Sequence, residues 1–157
     1  MTAFFLDTNV LVYSFAEDDP RKRGIARALA ESEHALVSTQ VLSQLANVLT
    51  RRLKFSPGET HNIISGIAAS CEVVPVTPAI VADALRIMQR YQYSFYDSQI
   101  IAAALSTGAP LLYSEDLHGE QSIDGLLTIR SPFRMSAQQR MPSYAVKKRR
   151  AARRGVR

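Results

Sequence analysis

Four apolar residues stand in an unbroken row at Ala3-Phe4-Phe5-Leu6, and the row ends abruptly at Asp7-Thr8-Asn9. Ala35-Leu36-Val37 and Leu111-Leu112-Tyr113 repeat the pattern. Runs this short, without polar alternation, describe strands buried on both faces. Further strands are expected at residues 71–76 and 126–129. Between the runs lie helical patterns at 10–16, 21–32, 39–53, 59–70, 78–91 and 96–107. Pro20 suits the first position of the second helix. In the third, Val41, Leu42, Leu45, Val48 and Leu49 recur at i, i+3, i+4 and i+7 on one face. Gly108 is placed to end the last helix in a left-handed conformation. Short buried strands alternating with helices predict an α/β fold. Its central parallel sheet of about four to five short strands is flanked by helices, in three layers.

A length of 157 residues fits one domain, and the only composition shift comes near Pro132. The expected division is a folded body over 1–133 and a basic, flexible C-terminal tail over 134–157. The formal charge of +5 belongs to that tail. Residues 147–157 carry seven of the 19 Lys and Arg and no acid, so the remainder holds 12 bases against 14 acids. The body is mildly acidic. Lys147, Lys148, Arg149 and Arg150 begin a block that either contacts a polyanion or only aids solubility.

The single cysteine, Cys71, excludes a disulfide within the chain and reads as a buried strand thiol. With three scattered histidines it makes no zinc ligand set. The N-terminus lacks the basic region of a signal peptide, and no apolar run approaches the ~20 residues that span a bilayer. A cytoplasmic protein without membrane contact is expected.

In open α/β sheets, ligands gather beyond the C-terminal ends of the strands. Asp7 follows the first apolar run in this position, and Asp116 follows the fourth. Either alone is an ordinary turn or capping residue. Asp97 says more, because Ile100, Ile101, Ala104 and Leu105 lie three, four, seven and eight residues beyond it. Its carboxylate therefore shares the core-facing stripe of its helix, where a charge needs a partner or a metal unless Asp97 merely caps the helix. Three carboxylates meeting in one crevice would repel each other. A hard divalent cation, Mg²⁺ or Mn²⁺, resolves that repulsion with oxygen ligands.

Four segments, in order, resemble the motifs of PIN domains, and most closely those of the VapC-type toxins of bacterial toxin–antitoxin pairs. They are Asp7-Thr8-Asn9-Val10-Leu11, Ser38 to Leu42 leading into Asn47-Val48-Leu49, Tyr96-Asp97-Ser98-Gln99-Ile100-Ile101, and Leu112-Tyr113-Ser114-Glu115-Asp116. The resemblance spans residues 3 to about 133. It implies a metal-dependent endoribonuclease in which Asp7, Asp97 and Asp116 bind Mg²⁺ or Mn²⁺ and carry catalysis. Asn9, Gln44 and Ser114 would support the ligands or the scissile phosphate. It also implies RNA as substrate, a small cognate antitoxin as partner, and a homodimer.

Gln44 departs from the family pattern, which has a glutamate there. Glutamine keeps the length and one carbonyl oxygen but loses the charge, and its NH₂ end is a donor. Three consequences stay open: one well-held metal, compensation by Glu115 or Glu120, or a module that only binds RNA or a protein. Gln40, Gln44, Asn47 and Arg51 form a polar stripe that either tracks RNA, with Arg51 on a phosphate, or is simply solvated. His118 reads as an exposed loop residue or a proton donor near the site. Two rival chemistries fail on single positions. A haloacid-type phosphatase wants an aspartate at Asn9, and a receiver domain wants paired acids and a late lysine.

Overall fold

A computed structural model describes residues 2–117 and 119–134. Six strands form one sheet: β1 (Phe4–Leu6), β2 (Ala35–Ser38), β3 (Glu72–Val74), β4 (Leu111–Tyr113), β5 (Gln121–Ile123) and β6 (Leu127–Arg130). Their order is β3-β2-β1-β4-β6-β5. All neighbours are parallel except β5, which runs antiparallel to β6 at the edge. Phe4, Phe5 and Leu6 are all buried, as their uninterrupted apolar run requires for the central strand.

The helices are α1 (Thr8–Val12), α2 (Pro20–Ala30), α3 (Thr39–Arg51), α4 (Pro57–Ser70), α5 (Pro78–Tyr91) and α6 (Phe95–Thr107). Four of them start on a hydroxyl cap: Ser38 for α3, Ser56 for α4, Thr77 for α5 and Ser94 for α6 each accept a backbone N–H. In α6 the seven residues from Ser98 to Ala104 are all buried, so this helix runs through the interior. Gly108 ends it at φ 73°, in the left-handed region expected of it.

The α/β class and the parallel sheet stand as expected, with four differences of detail. The expected helix over 10–16 is split into α1 and a 3₁₀ turn over Tyr13–Phe15. The helix expected from residue 59 starts two residues earlier, at Pro57, because Ser56 and Glu59 cap it reciprocally. The third strand is only Glu72–Val74, and Cys71 is the buried C-cap of α4 rather than a strand residue. The strand count is six: β5 was not expected at all. It pairs with β6 through a tight turn in which Asp124 and Gly125 both have positive φ, 53° and 67°, the Asp-Gly signature of a type I′ hairpin. Arg86 and the Tyr91 hydroxyl both donate to the Asp124 carboxylate, which fixes this hairpin to α5.

Candidate functional site

The strand order reverses direction at β1, whose neighbours are β2 on one side and β4 on the other. At such a switch point the two following loops diverge and leave a crevice. Asp7 leaves β1 there and Ser114 leaves β4. The backbone holds both: the Asp7 amide donates to the Tyr113 carbonyl at 3.0 Å, and the Ser114 amide to the Arg130 carbonyl at 3.0 Å.

Asp7 is only 5% exposed. One carboxylate oxygen accepts the Thr8 amide at 2.6 Å. The other accepts the Ser114 hydroxyl at 2.8 Å and the Asn9 side-chain amide at 3.3 Å. The Asn9 carbonyl oxygen in turn accepts the Glu115 amide at 3.2 Å, which ties α1 to the loop after β4. Burial pushes the Asp7 carboxyl up from 3.8 to about 6; Asp97 and Asp116 add to the rise, while Ser114 and Thr8 oppose it.

Asp7, Asp97 and Asp116 all line one cavity of about 580 Å³. Asp97 is partly buried and sits in the first turn of α6. It does not cap that helix: Ser94 does, by accepting the Asp97 amide at 3.2 Å. Capping therefore does not account for this carboxylate, although an acid in the first turn also suits the helix dipole. Asp116 is exposed at the rim. The cavity thus brings together three acids far apart in sequence. An all-oxygen donor set of this kind fits a hard divalent ion in chemistry. Among the described residues, however, no three acidic, histidine or cysteine side chains are grouped tightly enough to hold one as they stand.

Gln44 also lines this cavity, and its side-chain oxygen accepts the Thr8 hydroxyl at 2.8 Å. Gln40, one turn earlier, is buried, donating to the Tyr96 carbonyl at 3.0 Å and accepting from Gln99 at 2.8 Å. The stripe expected along this helix is therefore displaced. Its cavity-facing residues are Gln44, Val48 and Arg52, spaced by four, while Arg51 is exposed and does not line the cavity.

Of the acids considered as substitutes for a glutamate at position 44, Glu120 bonds Arg130 at 2.9 Å and is not in the cavity wall. Glu115 is in the wall but is bonded to Lys22. Burial opposes its ionisation, but the Lys22 ammonium and the Tyr13 hydroxyl outweigh that and hold its carboxyl below the usual range. Thr8, Lys22, Tyr13 and Arg52 were not singled out from sequence. The i, i+4, i+8 spacing of Gln44, Val48 and Arg52 was the available signal for the last. His118 and the tail residues Lys147, Lys148, Arg149 and Arg150 lie outside the described residues. No described helix is long and apolar enough to cross a membrane.

The family model of the PIN domain matches residues 4–119. No curated protein matches the chain in sequence. Among solved structures, the fold is similar to that of Mycobacterium tuberculosis VapC20, a sarcin-ricin-loop-cleaving toxin, at 23% identity and a TM-score of 0.60, covering 73% of this chain and 90% of that one. It is also similar to a chain of DNA-bound VapBC from Salmonella typhimurium, at 20% identity and a TM-score of 0.63, covering 84% and 99%. A chain of a toxin–antitoxin complex from Klebsiella pneumoniae gives 15% identity and 0.63, covering 85% and 100%. At these identities the likeness establishes the fold.

Proposed function

We propose that this chain, which belongs to the PIN domain family, is a divalent-metal-dependent endoribonuclease and the toxin of a toxin–antitoxin pair. The observation that carries this reading is the cavity at the switch point, where Asp7 is buried and Asp97 and Asp116 face the same space. A buried carboxylate with two acidic neighbours is costly unless a cation joins them. Asp7, Asp97 and Asp116 would hold Mg²⁺ or Mn²⁺, which supplies the Lewis acidity that phosphodiester hydrolysis needs. Ser114 and Asn9 orient Asp7 by donating to it, leaving its charge directed at the crevice. Thr8 steadies Gln44 at the edge of the same cavity.

RNA is the substrate in this reading, and the basic block at Lys147, Lys148, Arg149 and Arg150 adds sequence-independent attraction to it. A cognate antitoxin is the regulatory partner in this reading, supported by the likeness to a chain of a toxin–antitoxin complex. A homodimer would draw on exposed apolar residues of α5 such as Leu85 and Met88. The place of action is the cytoplasm.

A second reading is supported by Gln44. With a neutral amide where the family has a glutamate, and its oxygen already accepting from Thr8, the domain would bind RNA or protein without cutting. Cleavage of a mixed structured RNA in Mg²⁺ and in Mn²⁺ separates the two. Cutting that disappears in EDTA and in Asp97→Asn supports the nuclease. Cutting only by Gln44→Glu supports the binding module.

A further inference from the structure

The cavity opens at one end into a second chamber of about 440 Å³, and Phe15, Asp18, Arg52 and Leu53 belong to the walls of both. Phe55 closes the far side, its ring edge-on to Phe15 with centroids 5.9 Å apart. The chain reaches this position because Lys54 adopts φ 60°, and the Phe55 amide then returns to the Leu49 carbonyl at 3.0 Å. A lysine in the left-handed region is strained, and strain of this kind is kept where a loop must be held in place. Leu53 is 41% exposed and Arg52 is exposed beside it.

Arg52 is the only cation in the wall of the acidic cavity among the described residues, and its guanidinium has no described hydrogen-bond or ion-pair partner. It stands eight residues beyond Gln44 on the same helix face, roughly 12 Å along the axis. A guanidinium left unpaired in an acidic groove retains its donors for an external anion, and its fork suits a phosphate. The apolar wall beside it suits a base, and Glu17 and Asp18 at the rim supply acceptors for an exocyclic amine.

We propose that the second chamber is a nucleotide subsite. Arg52 holds a phosphate neighbouring the scissile one, and the attached base lies against Leu53 and Phe55. Its amine faces Glu17 and Asp18, so that cytosine, adenine and guanine are preferred to uracil. The assignment rests on the ribonuclease reading above and extends it to substrate selection.

The test is fluorescence anisotropy of labelled single-stranded RNA octamers on the full chain in EDTA, across a salt series. Arg52→Ala weakens binding about tenfold, and its log–log salt slope is shallower by ~0.7, the loss of one single-strand phosphate contact. Arg52→Lys keeps the slope. Leu53→Ala weakens the octamers without changing the slope, and an all-uracil octamer loses its disadvantage in Glu17→Gln/Asp18→Asn. Unchanged thermal unfolding shows that each variant is folded. If RNA is bound in EDTA and cut when Mn²⁺ is restored, but Arg52→Ala matches the wild type in affinity and slope, the subsite is wrong and the nuclease reading stands. If the wild type binds no RNA in EDTA yet cuts it in Mn²⁺, the subsite is wrong and the nuclease reading stands; if it does neither, both fall. If Arg52→Ala only tightens a lysine-rich peptide, the chamber is a peptide site and the proposal is overturned.

Discussion

The Thr8 hydroxyl donates to the Gln44 side-chain oxygen at 2.8 Å, joining the start of α1 to α3 across 36 residues of sequence. The bond places position 44 at the cavity wall and uses its only acceptor group. A glutamate there would have a second oxygen free after accepting from Thr8, and that oxygen would carry charge into the cavity. Gln44→Glu is expected to raise Mn²⁺ affinity by roughly 10–100-fold, the range that a single supporting residue commands at metal sites. Isothermal calorimetry of the two proteins measures this. Equal affinities would show that position 44 does not act on the ion.

Asp7 gives the protein a pH signature. Its carboxyl is raised from 3.8 to about 6, chiefly by burial. The folded state therefore binds a proton that the unfolded chain has released between those values. Stability from this group is fully present below about pH 4 and is lost as pH rises through about 6. The difference is on the order of 3 kcal/mol at neutral pH. In metal-free protein, Asp7→Asn should be more stable than wild type at pH 7.5, and the gap should close toward pH 4. Denaturant melts at several pH values, subtracting one protein from the other, isolate this contribution from those of Glu115 and Asp124, whose shifts run downward. A gap independent of pH would mean that Asp7 ionises normally.

Ser114 is fully buried, and its hydroxyl donates to Asp7 at 2.8 Å. Ser114→Ala takes away the stronger of the two side-chain donors to that oxygen, leaving Asn9 at 3.3 Å. The expected result is a further rise of the Asp7 carboxyl above about 6 and a loss of about 1–3 kcal/mol at neutral pH. The loss should shrink near pH 5, where Asp7 is protonated and needs the donor less. Metal affinity should fall by roughly tenfold. The discriminating measurement is urea unfolding of Ser114→Ala at pH 7.5 and pH 5. A loss of equal size at both would point to packing rather than to the carboxylate.

Much of this arrangement is written in local pattern. The apolar run before Asp7 reads as a buried strand because burial on both faces leaves no room for alternation. Asp97 reads as inward because its helix repeats apolar residues every three to four positions, and α6 is indeed buried from Ser98 to Ala104. Pairings over long sequence distances were not legible. Nothing in sequence shows that Asn9 reaches both Ser114 and the Glu115 amide, or that Lys22 reaches Glu115. The stripe on α3 was displaced by one residue at its end because sequence spacing alone does not say that Gln40 turns inward to Tyr96 and Gln99. The β5–β6 hairpin has a usable sign in Asp124-Gly125, but Gln121–Ile123 has only one apolar residue to mark it as a strand.

The left-handed ends of the two packed helices offer a last comparison. α6 closes with Gly108 at φ 73°, and α5 closes with Gln92 at φ 61° and ψ 31°. Only glycine enters this region without a Cβ clash. Gln92 is exposed, and the one described bond of its side chain, to the Gln89 carbonyl at 2.8 Å, is made at the surface where water replaces it. Relief of the clash should outweigh both that bond and the greater chain entropy of glycine. Gln92→Gly is therefore expected to stabilise the protein by about 0.5–1 kcal/mol. That corresponds to roughly 1–4 °C in Tm for a chain of this size. Gln92 does not line the cavity, so the proposed RNA cleavage should be unaltered. Differential scanning calorimetry checks the first expectation and an initial-rate assay the second. A drop in Tm would mean that the Gln89 contact matters more to α5 than backbone strain does.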